Sequence, residues 1–96
     1  MSTEKDIDFS SQILLLRSLA NEDRIKILRR AMAGPLPAQE VEEMLFMGQS
    51  TASYHLNMMQ KTGLLSCKKD GKKAIYCYQK GNMEKLLKDL IEKIAI

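Results

Sequence analysis

Between Gln49 and Leu65 the apolar positions follow the spacing of an amphipathic helix. Ala52, Leu56 and Met59 recur every three or four residues, which predicts a buried stripe. Gly63 stands where a left-handed helix cap is expected. The opposite side carries short or planar hydrogen-bonding side chains: Gln49, Ser50, Ser53, Tyr54 and Asn57. Such groups suit base edges in a major groove, and a polar surface helix without a ligand is the alternative.

Two helices are predicted before residue 35. Asp8 can cap the first, and its apolar positions offer more hydrophobic surface than one small core needs. Asn21 can cap the second, with carboxylates in its first turn where the macrodipole favours them. Gly34-Pro35 is expected to end it.

A short third helix is predicted to begin at Pro37, which lacks only a donor that would be unpaired there. Its apolar face comprises Val41, Met44 and Leu45. The short segment from Phe46 to Gly48 is predicted to form a tight turn that leads into the fourth helix. Two short helices joined in this way are a helix-turn-helix candidate.

The remaining pattern predicts a hairpin and a last helix. Asp70-Gly71 is a two-residue turn signal between strand-like segments, and Gly81-Asn82 is expected to end the second strand. A final stripe at helical spacing comprises Met83, Leu86, Leu87, Leu90, Ile91 and Ile94. The predicted fold is mostly α with a small β-hairpin (α+β), in the order ααααββα. It is a single winged helix-turn-helix domain over residues 1–96, with residues 1–7 as a flexible tail.

Charge changes this picture by its position more than by its size. The chain of 96 residues has a net charge of +3, from 15 Lys and Arg against 12 Asp and Glu. Four of the cations surround the predicted turn: Lys68, Lys69, Lys72 and Lys73. They can neutralise phosphates beside a groove that the fourth helix enters. The alternative is a solvated hairpin whose lysines block edge aggregation. The two features together predict double-stranded DNA as a partner.

The N-terminal sequence MSTEKDIDFSS lacks the basic and apolar regions of a secretory signal. The longest apolar run, Ile13 to Leu16, is far shorter than a membrane span. We therefore expect a cytoplasmic protein with no membrane partner. Its two cysteines are then expected to be reduced thiols.

Three segments together resemble the ArsR/SmtB family of winged-helix repressors: LRSLANEDRIKIL, QSTASYHLNMMQKTGLL and KKDGKKAIYCY. The likeness runs from about Ile13 to the last helix. It implies that the fourth helix and the wing contact DNA, with a DNA-facing set of Gln49, Ser50, Thr51, Ser53, Tyr54 and His55. It also implies a homodimer joined through the first and last helices. The apolar positions available for that interface are Ile13, Leu14, Leu16, Leu86, Leu87, Leu90, Ile91 and Ile94.

The sequence departs from the family pattern at three positions. Gly48 stands where a serine cap usually precedes the recognition helix, and glycine is a tolerable substitute. Phe46 stands where glycine is common in the turn, which predicts an altered turn. Tyr54 occupies a position that is often basic, so the family's base preference does not transfer.

No metal or other cofactor is expected. Many members of the family carry Cys-x-Cys at the start of the third helix, where this chain has Pro37-Ala38-Gln39. Others place Asp, His and Glu ligands on the last helix, which here contains Glu84, Asp89 and Glu92 but no His. A transition-metal site needs several converging nitrogen or sulfur donors.

Cys67 and Cys77 are a possible redox pair. With Asp70-Gly71 as the turn, Cys67 would pair with Ala74, and Cys77 would lie three residues further along on the other face. At ~3.3 Å per residue this separation is roughly 10 Å, which is too far for an unstrained disulfide. Two unrelated small residues are therefore favoured over a thiol switch.

No enzyme is expected, because the chain has no glycine-rich phosphate loop, no nucleophile elbow and no clustered acid pair. The pattern predicts a sequence-specific homodimeric regulator, with repression through an inverted-repeat operator as the expected mode. The alternatives are a thiol-responsive repressor and a winged-helix adaptor that binds proteins without reading DNA. No residue pattern identifies an effector.

Overall fold

The computed structural model describes residues 6–96, so most of the expected flexible tail lies outside the described residues. The elements are α1 (Ser10–Leu19), α2 (Glu22–Met32), β1 (Leu36–Pro37), α3 (Ala38–Leu45), α4 (Gln49–Lys61), β2 (Leu65–Asp70), β3 (Lys73–Tyr78) and α5 (Lys80–Ala95). This order contains the predicted four helices, hairpin and last helix, together with one short strand that was not predicted.

The first two helices begin at polar side chains that satisfy free backbone N–H groups. Asn21 Oδ1 accepts a hydrogen bond of 3.0 Å from the backbone N–H of Arg24, which confirms the predicted cap of α2. Asp8 Oδ1 accepts a 2.8 Å bond from the backbone N–H of Ser10. Asp8 therefore supports the start of α1, although Phe9 lies between it and the helix.

The end of α4 sets the direction of the chain into the sheet. Gly63 has a φ of 82°, which confirms the left-handed cap. The backbone N–H of Leu64 donates to the carbonyl of Met59 at 3.0 Å, closing the motif usual for such caps. Leu64 and Leu65 then enter the core immediately, and both are buried.

The three strands form one antiparallel sheet in the order β1-β3-β2. Leu36 pairs with Tyr76 and Pro37 with Ile75, so β1 joins the segment before α3 to the hairpin. The predicted hairpin register is wrong, because the turn lies one residue later than expected and each pairing partner therefore shifts by two residues. Asp70 pairs with Lys73, which leaves Gly71 and Lys72 as the turn, and Gly71 takes the positive φ of 63° that this turn requires.

The shifted register moves the cysteines closer without bringing their side chains together. Cys67 lies opposite Tyr76 and Ser66 lies opposite Cys77, so the two thiols are one position apart. Directly opposed residues share a face, whereas successive residues alternate between faces. Cys67 and Cys77 therefore lie on opposite faces of the sheet, and both are free thiols.

The core lies between the helices α1 to α4 and one face of the sheet. Its fully buried large side chains include Leu15, Ile27, Leu36, Leu56, Met59, Leu64 and Leu65. The last helix starts earlier than predicted, because Gly81 and Asn82 lie in its first turn and do not end the preceding strand. None of the residues of α5 is fully buried in the single chain.

Candidate nucleic-acid interface

Helix α4 separates into a buried stripe and an exposed polar face, as its spacing predicted. Ala52, Leu56 and Met59 pack into the core. The side chains that remain exposed to solvent are Gln49, Ser50, Thr51, Ser53, Tyr54 and Asn57. They belong to a helix anchored by its opposite face, so their positions relative to the sheet are fixed. Their assignment to DNA remains a prediction.

His55 does not lie on the exposed face of α4 with the other members of the predicted DNA-facing set. His55 is only 7% exposed, and its Nδ1 lies 3.0 Å from the Nη1 of Arg24. The spacing of α4 contains the signal for this, since position 55 follows Ala52 by three residues and precedes Met59 by four. His55 therefore belongs to the buried stripe, and its ring meets that of Tyr54 edge-on at 5.8 Å between centroids.

The start of α4 has no side-chain cap. Gly48 precedes the helix and accepts a backbone bond of 3.0 Å from Ala52, but no side chain satisfies the first N–H groups. The first backbone N–H groups of α4 point outward from the N-terminal end of the helix. An anion is favoured at this end, because the N–H groups are unpaired and the helix macrodipole is positive there. The first turn of α4 is thus free to bind a phosphate or a base edge.

The turn before α4 is strained in the way that its sequence suggested. Phe46 has a φ of 51° and a ψ of 48°, the left-handed conformation in which glycine is common. Its side chain is 96% exposed, so packing does not compensate for the backbone conformation. The aromatic ring therefore protrudes into solvent from the turn between α3 and α4.

Helix α3 is tied to α2 by an ion pair that the sequence did not indicate. The guanidinium of Arg30 donates through Nε and Nη2 to the two carboxylate oxygens of Glu40, the latter at 3.0 Å. Arg30 Nη1 also donates to the carbonyl of Gly34 at 3.1 Å. These bonds connect α2 with α3 and with the segment between them.

The wing presents its cations to solvent. Lys68, Lys69, Lys72 and Lys73 are exposed, and none takes part in the ion pairs found among residues 6–96. Asp70 is exposed at the same tip and partly offsets their charge. The four ammonium groups are consequently available to anions that approach the hairpin.

A groove of about 740 Å³ separates α4 from the wing. Gln49, Ser53 and Asn57 line one side, and Lys69, Lys72 and Lys73 line the other. Gln39 and Glu42 of α3 also line it, and sequence reasoning assigned neither to the interface. Hydrogen-bonding groups on one wall and cations on the other suit a polyanion with polar edges.

The residues proposed for a dimer interface differ in their exposure. Four of them are at least 41% exposed: Ile13 and Leu16 of α1, and Ile91 and Ile94 of α5. Leu14 and Leu90 are half-buried, whereas Leu86 and Leu87 already pack partly against the core of their own chain. Lys93 Nζ joins the two helices by donating to Gln12 Oε1 at 3.2 Å. An apolar surface on paired helices is typical of an interface between copies.

The remaining candidate chemistry is sparse within residues 6–96. No three His, Cys, Asp or Glu side chains there lie close enough together to hold a metal ion. Burial, followed by the hydrogen bond with Cys67, raises the pKa of Tyr76.

Among residues 6–96, no helix has the length and apolar character needed to cross a membrane.

Comparison with known proteins gives a consistent set of relatives. A family model described as "Bacterial regulatory protein, arsR family" matches residues 21–66, from the cap of α2 into β2. The HTH-type transcriptional regulator NmtR of Mycobacterium tuberculosis is 30% identical over 76 residues, covering 79% of this chain and 63% of the relative. The transcriptional activator HlyU of Vibrio cholerae is 29% identical over 73 residues, covering 76% and 68%. The chain thus spans less than two thirds of the length of NmtR.

Solved structures agree on the architecture. The solution structure of Mb0332 from Mycobacterium bovis, described as a homodimeric winged helix-turn-helix DNA-binding domain, superposes with a TM-score of 0.75 at 21% identity. The match covers 99% of this chain and 87% of that chain. This likeness confirms the predicted winged helix-turn-helix fold.

Proposed function

We propose that the chain is a member of the ArsR family of bacterial regulatory proteins, whose model matches residues 21–66, and that it is a DNA-binding transcriptional regulator that acts as a homodimer on an inverted-repeat operator. Repression by occlusion of a promoter is the proposed mode. The observation that carries the proposal is the polar face of α4 beside an unpaired cationic wing, with a groove between them.

The two walls of the groove are given different roles in this proposal. The exposed face of α4 enters the major groove, where Ser53 and Tyr54 meet base edges and carry specificity. Lys69, Lys72 and Lys73 lie beside phosphates, which supply affinity without sequence information. The exposed apolar surface of α1 and α5 supports the dimer, which places two such grooves on one operator.

The test is a salt titration of operator and random duplex with matched variants. Tyr54→Ala is expected to weaken operator binding by about 1–3 kcal/mol, the value of a good base contact, and to leave random-duplex binding nearly unchanged. Lys72→Ala should weaken both and lower the salt slope by about one ion per protomer. Lys88→Ala removes the same charge from an exposed position on α5 and should change neither specificity nor slope by a comparable amount.

Two outcomes would contradict this assignment. If Lys72→Ala keeps the wild-type slope while Tyr54→Ala lowers both affinities equally, the roles of helix and wing are wrong. If the wild-type protein prefers no duplex sequence at all, the protein-binding adaptor becomes the better interpretation of the same fold.

A further inference from the structure

One buried cation joins three helices of this domain. Arg24, in the first turn of α2, is 7% exposed. Its Nε donates to the carbonyl of Ser18 at 2.8 Å, and its Nη2 donates to that of Arg17 at 3.2 Å. Its Nη1 lies 3.0 Å from His55 Nδ1 on α4. No carboxylate forms an ion pair with this guanidinium among the described residues.

The two carbonyls belong to the last turn of α1. Such carbonyls lack partners within their helix, and they form the negative end of its macrodipole. The Asn21 cap also fixes the backbone of Arg24. The guanidinium is therefore held at one place on the end of α1, and its remaining hydrogen bond is directed to α4.

His55 can accept this bond only while its Nδ1 is unprotonated, with the ring proton on Nε2. Protonation would turn Nδ1 into a donor facing a donor and would place two positive charges about one hydrogen-bond length apart. His55 directly follows the exposed Tyr54 in α4, and their rings are in contact. The position of the His55 ring is therefore linked to that of the exposed face. A change at this contact would be felt by the groups proposed to read bases.

We propose that Arg24 is a positioning residue for DNA recognition, which holds α4 against the end of α1 through neutral His55, so that protonation of His55 releases the helix and weakens operator binding. This inference rests on the proposed function. It also means that α1, which carries part of the proposed dimer surface, is connected directly to the recognition helix.

The electrostatic surroundings of His55 agree with this role. Burial lowers its pKa from the ordinary 6.5, the charge of Arg24 lowers it further, and Asp23 raises it. A folded-state pKa below the unfolded value means that the unfolded chain binds more protons, so stability is complete above about 6.5 and is lost as the pH falls through the folded pKa. Operator affinity should fall over the same acidic range.

The chain has one histidine, which makes the experiment specific. Ordinary carboxyl and thiol groups titrate outside the range between pH 5 and 7.5. Operator affinity of the wild type is expected to fall by roughly 2–10-fold across that range, the fold-change that corresponds to one hydrogen bond. His55→Asn keeps an acceptor near the position of Nδ1 but does not titrate, so its affinity should stay high and independent of pH.

A second measurement uses the free protein. NMR titration of the single imidazole should give a pKa below 6.5 in the wild type, and a higher one in Arg24→Gln, which removes the neighbouring charge. Circular dichroism identifies any variant that fails to fold, in which case His55→Asn alone decides. Equal pH profiles for wild type and His55→Asn, or an imidazole pKa unchanged by Arg24→Gln in a folded variant, would overturn the inference.

Failure of the proposed function gives a different result. A wild-type protein that binds no duplex specifically at any pH would end the DNA-binding proposal and the positioning role together. The imidazole titration would then still show whether the Arg24–His55 contact exists in solution. Specific binding with a flat wild-type pH profile removes the positioning role alone.

Discussion

Helices α4 and α5 are both amphipathic, but the single chain buries the apolar face of α4 only. In α4, Ala52, Leu56 and Met59 are at most 2% exposed. In α5, which has 16 residues, none is fully buried, and Ile91 and Ile94 are 68% and 67% exposed. The same spacing of apolar residues therefore occurs in a helix that packs into the internal core and in a helix whose apolar side chains stay exposed, which we propose to bind a second chain.

The difference shows that spacing predicts a helix and its face, whereas the amount of apolar surface predicts where that face is buried. A chain of 96 residues has a small core. The stripe of α4 fills it, together with residues from α2 and the sheet.

The largest effect on folding is expected at the completed helix. Leu56→Ala removes most of a side chain that is 1% exposed, so the free energy of unfolding should fall by about 2–5 kcal/mol. Asn57→Ala, on the exposed face of the same helix, is the control and should change it by less than about 0.5 kcal/mol. Urea unfolding at one protein concentration measures both. Similar losses in the two variants would mean that α4 is not packed as described.

The next effect concerns assembly. Leu90→Asp places a charge in the apolar stripe of α5, and burying it unpaired at an interface would be unfavourable. Light scattering at micromolar concentration should give twice the chain mass of 10.9 kDa for the wild type and the monomer mass for the variant. Lys88→Asp, on the exposed polar side of α5, should remain dimeric. A monomeric wild type would remove the basis for a palindromic operator.

A smaller effect is expected at the turn between α3 and α4. Phe46→Gly relieves a left-handed conformation that costs a non-glycine residue about 1–2 kcal/mol, and part of this gain is lost to the greater freedom of glycine when unfolded. Stability should rise by about 0.5–1 kcal/mol. Phe46→Ala keeps the backbone constraint and should stay near the wild type, so a gain of equal size there would point to the exposed ring instead.

The smallest effect is expected on the buried side of α1. Ser18 is fully buried, and within residues 6–96 its hydroxyl has no hydrogen-bond partner. Ser18→Ala should therefore be neutral or stabilising by up to about 1 kcal/mol, because the carbonyl that accepts from Arg24 is unchanged. Ser11→Ala, exposed on the same helix, should have no measurable effect. A clear destabilisation by Ser18→Ala would reveal a partner for the hydroxyl in solution.

The sequence predicted the parts of this molecule that extend over several residues. The helices have periodic stripes, and Asn21 and Gly63 mark helix ends by side-chain and backbone chemistry that acts locally. The strand β1 has two residues, too few to show an alternation, and only its pairing with β3 makes it a strand. The hairpin register depends on which two residues form the turn, and Asp70-Gly71 and Gly71-Lys72 are both compatible with the local sequence.

The candidate site shows the same division. The exposed polar face of α4 follows from its spacing, and so does the burial of His55 once its position in the stripe is counted. Arg24 was not predicted, because its three acceptors come from positions 17, 18 and 55. The contacts of Arg30 with Glu40 likewise join residues from different helices. Contacts of this kind depend on how the helices pack, which one chain's periodicity does not specify.

The short strand β1 bears on the entropy of binding. By pairing with β3 it fastens the wing to the residues that begin α3, so the hairpin and the helix-turn-helix are parts of one hydrogen-bonded unit. The position of the base of the wing is thus set during folding and not on binding. Binding by a preorganised surface loses less entropy than binding by a mobile arm, but such a surface does not adapt. In the proposed complex, an operator would have to present its phosphates at the separation that the protein already has, or be deformed to reach it.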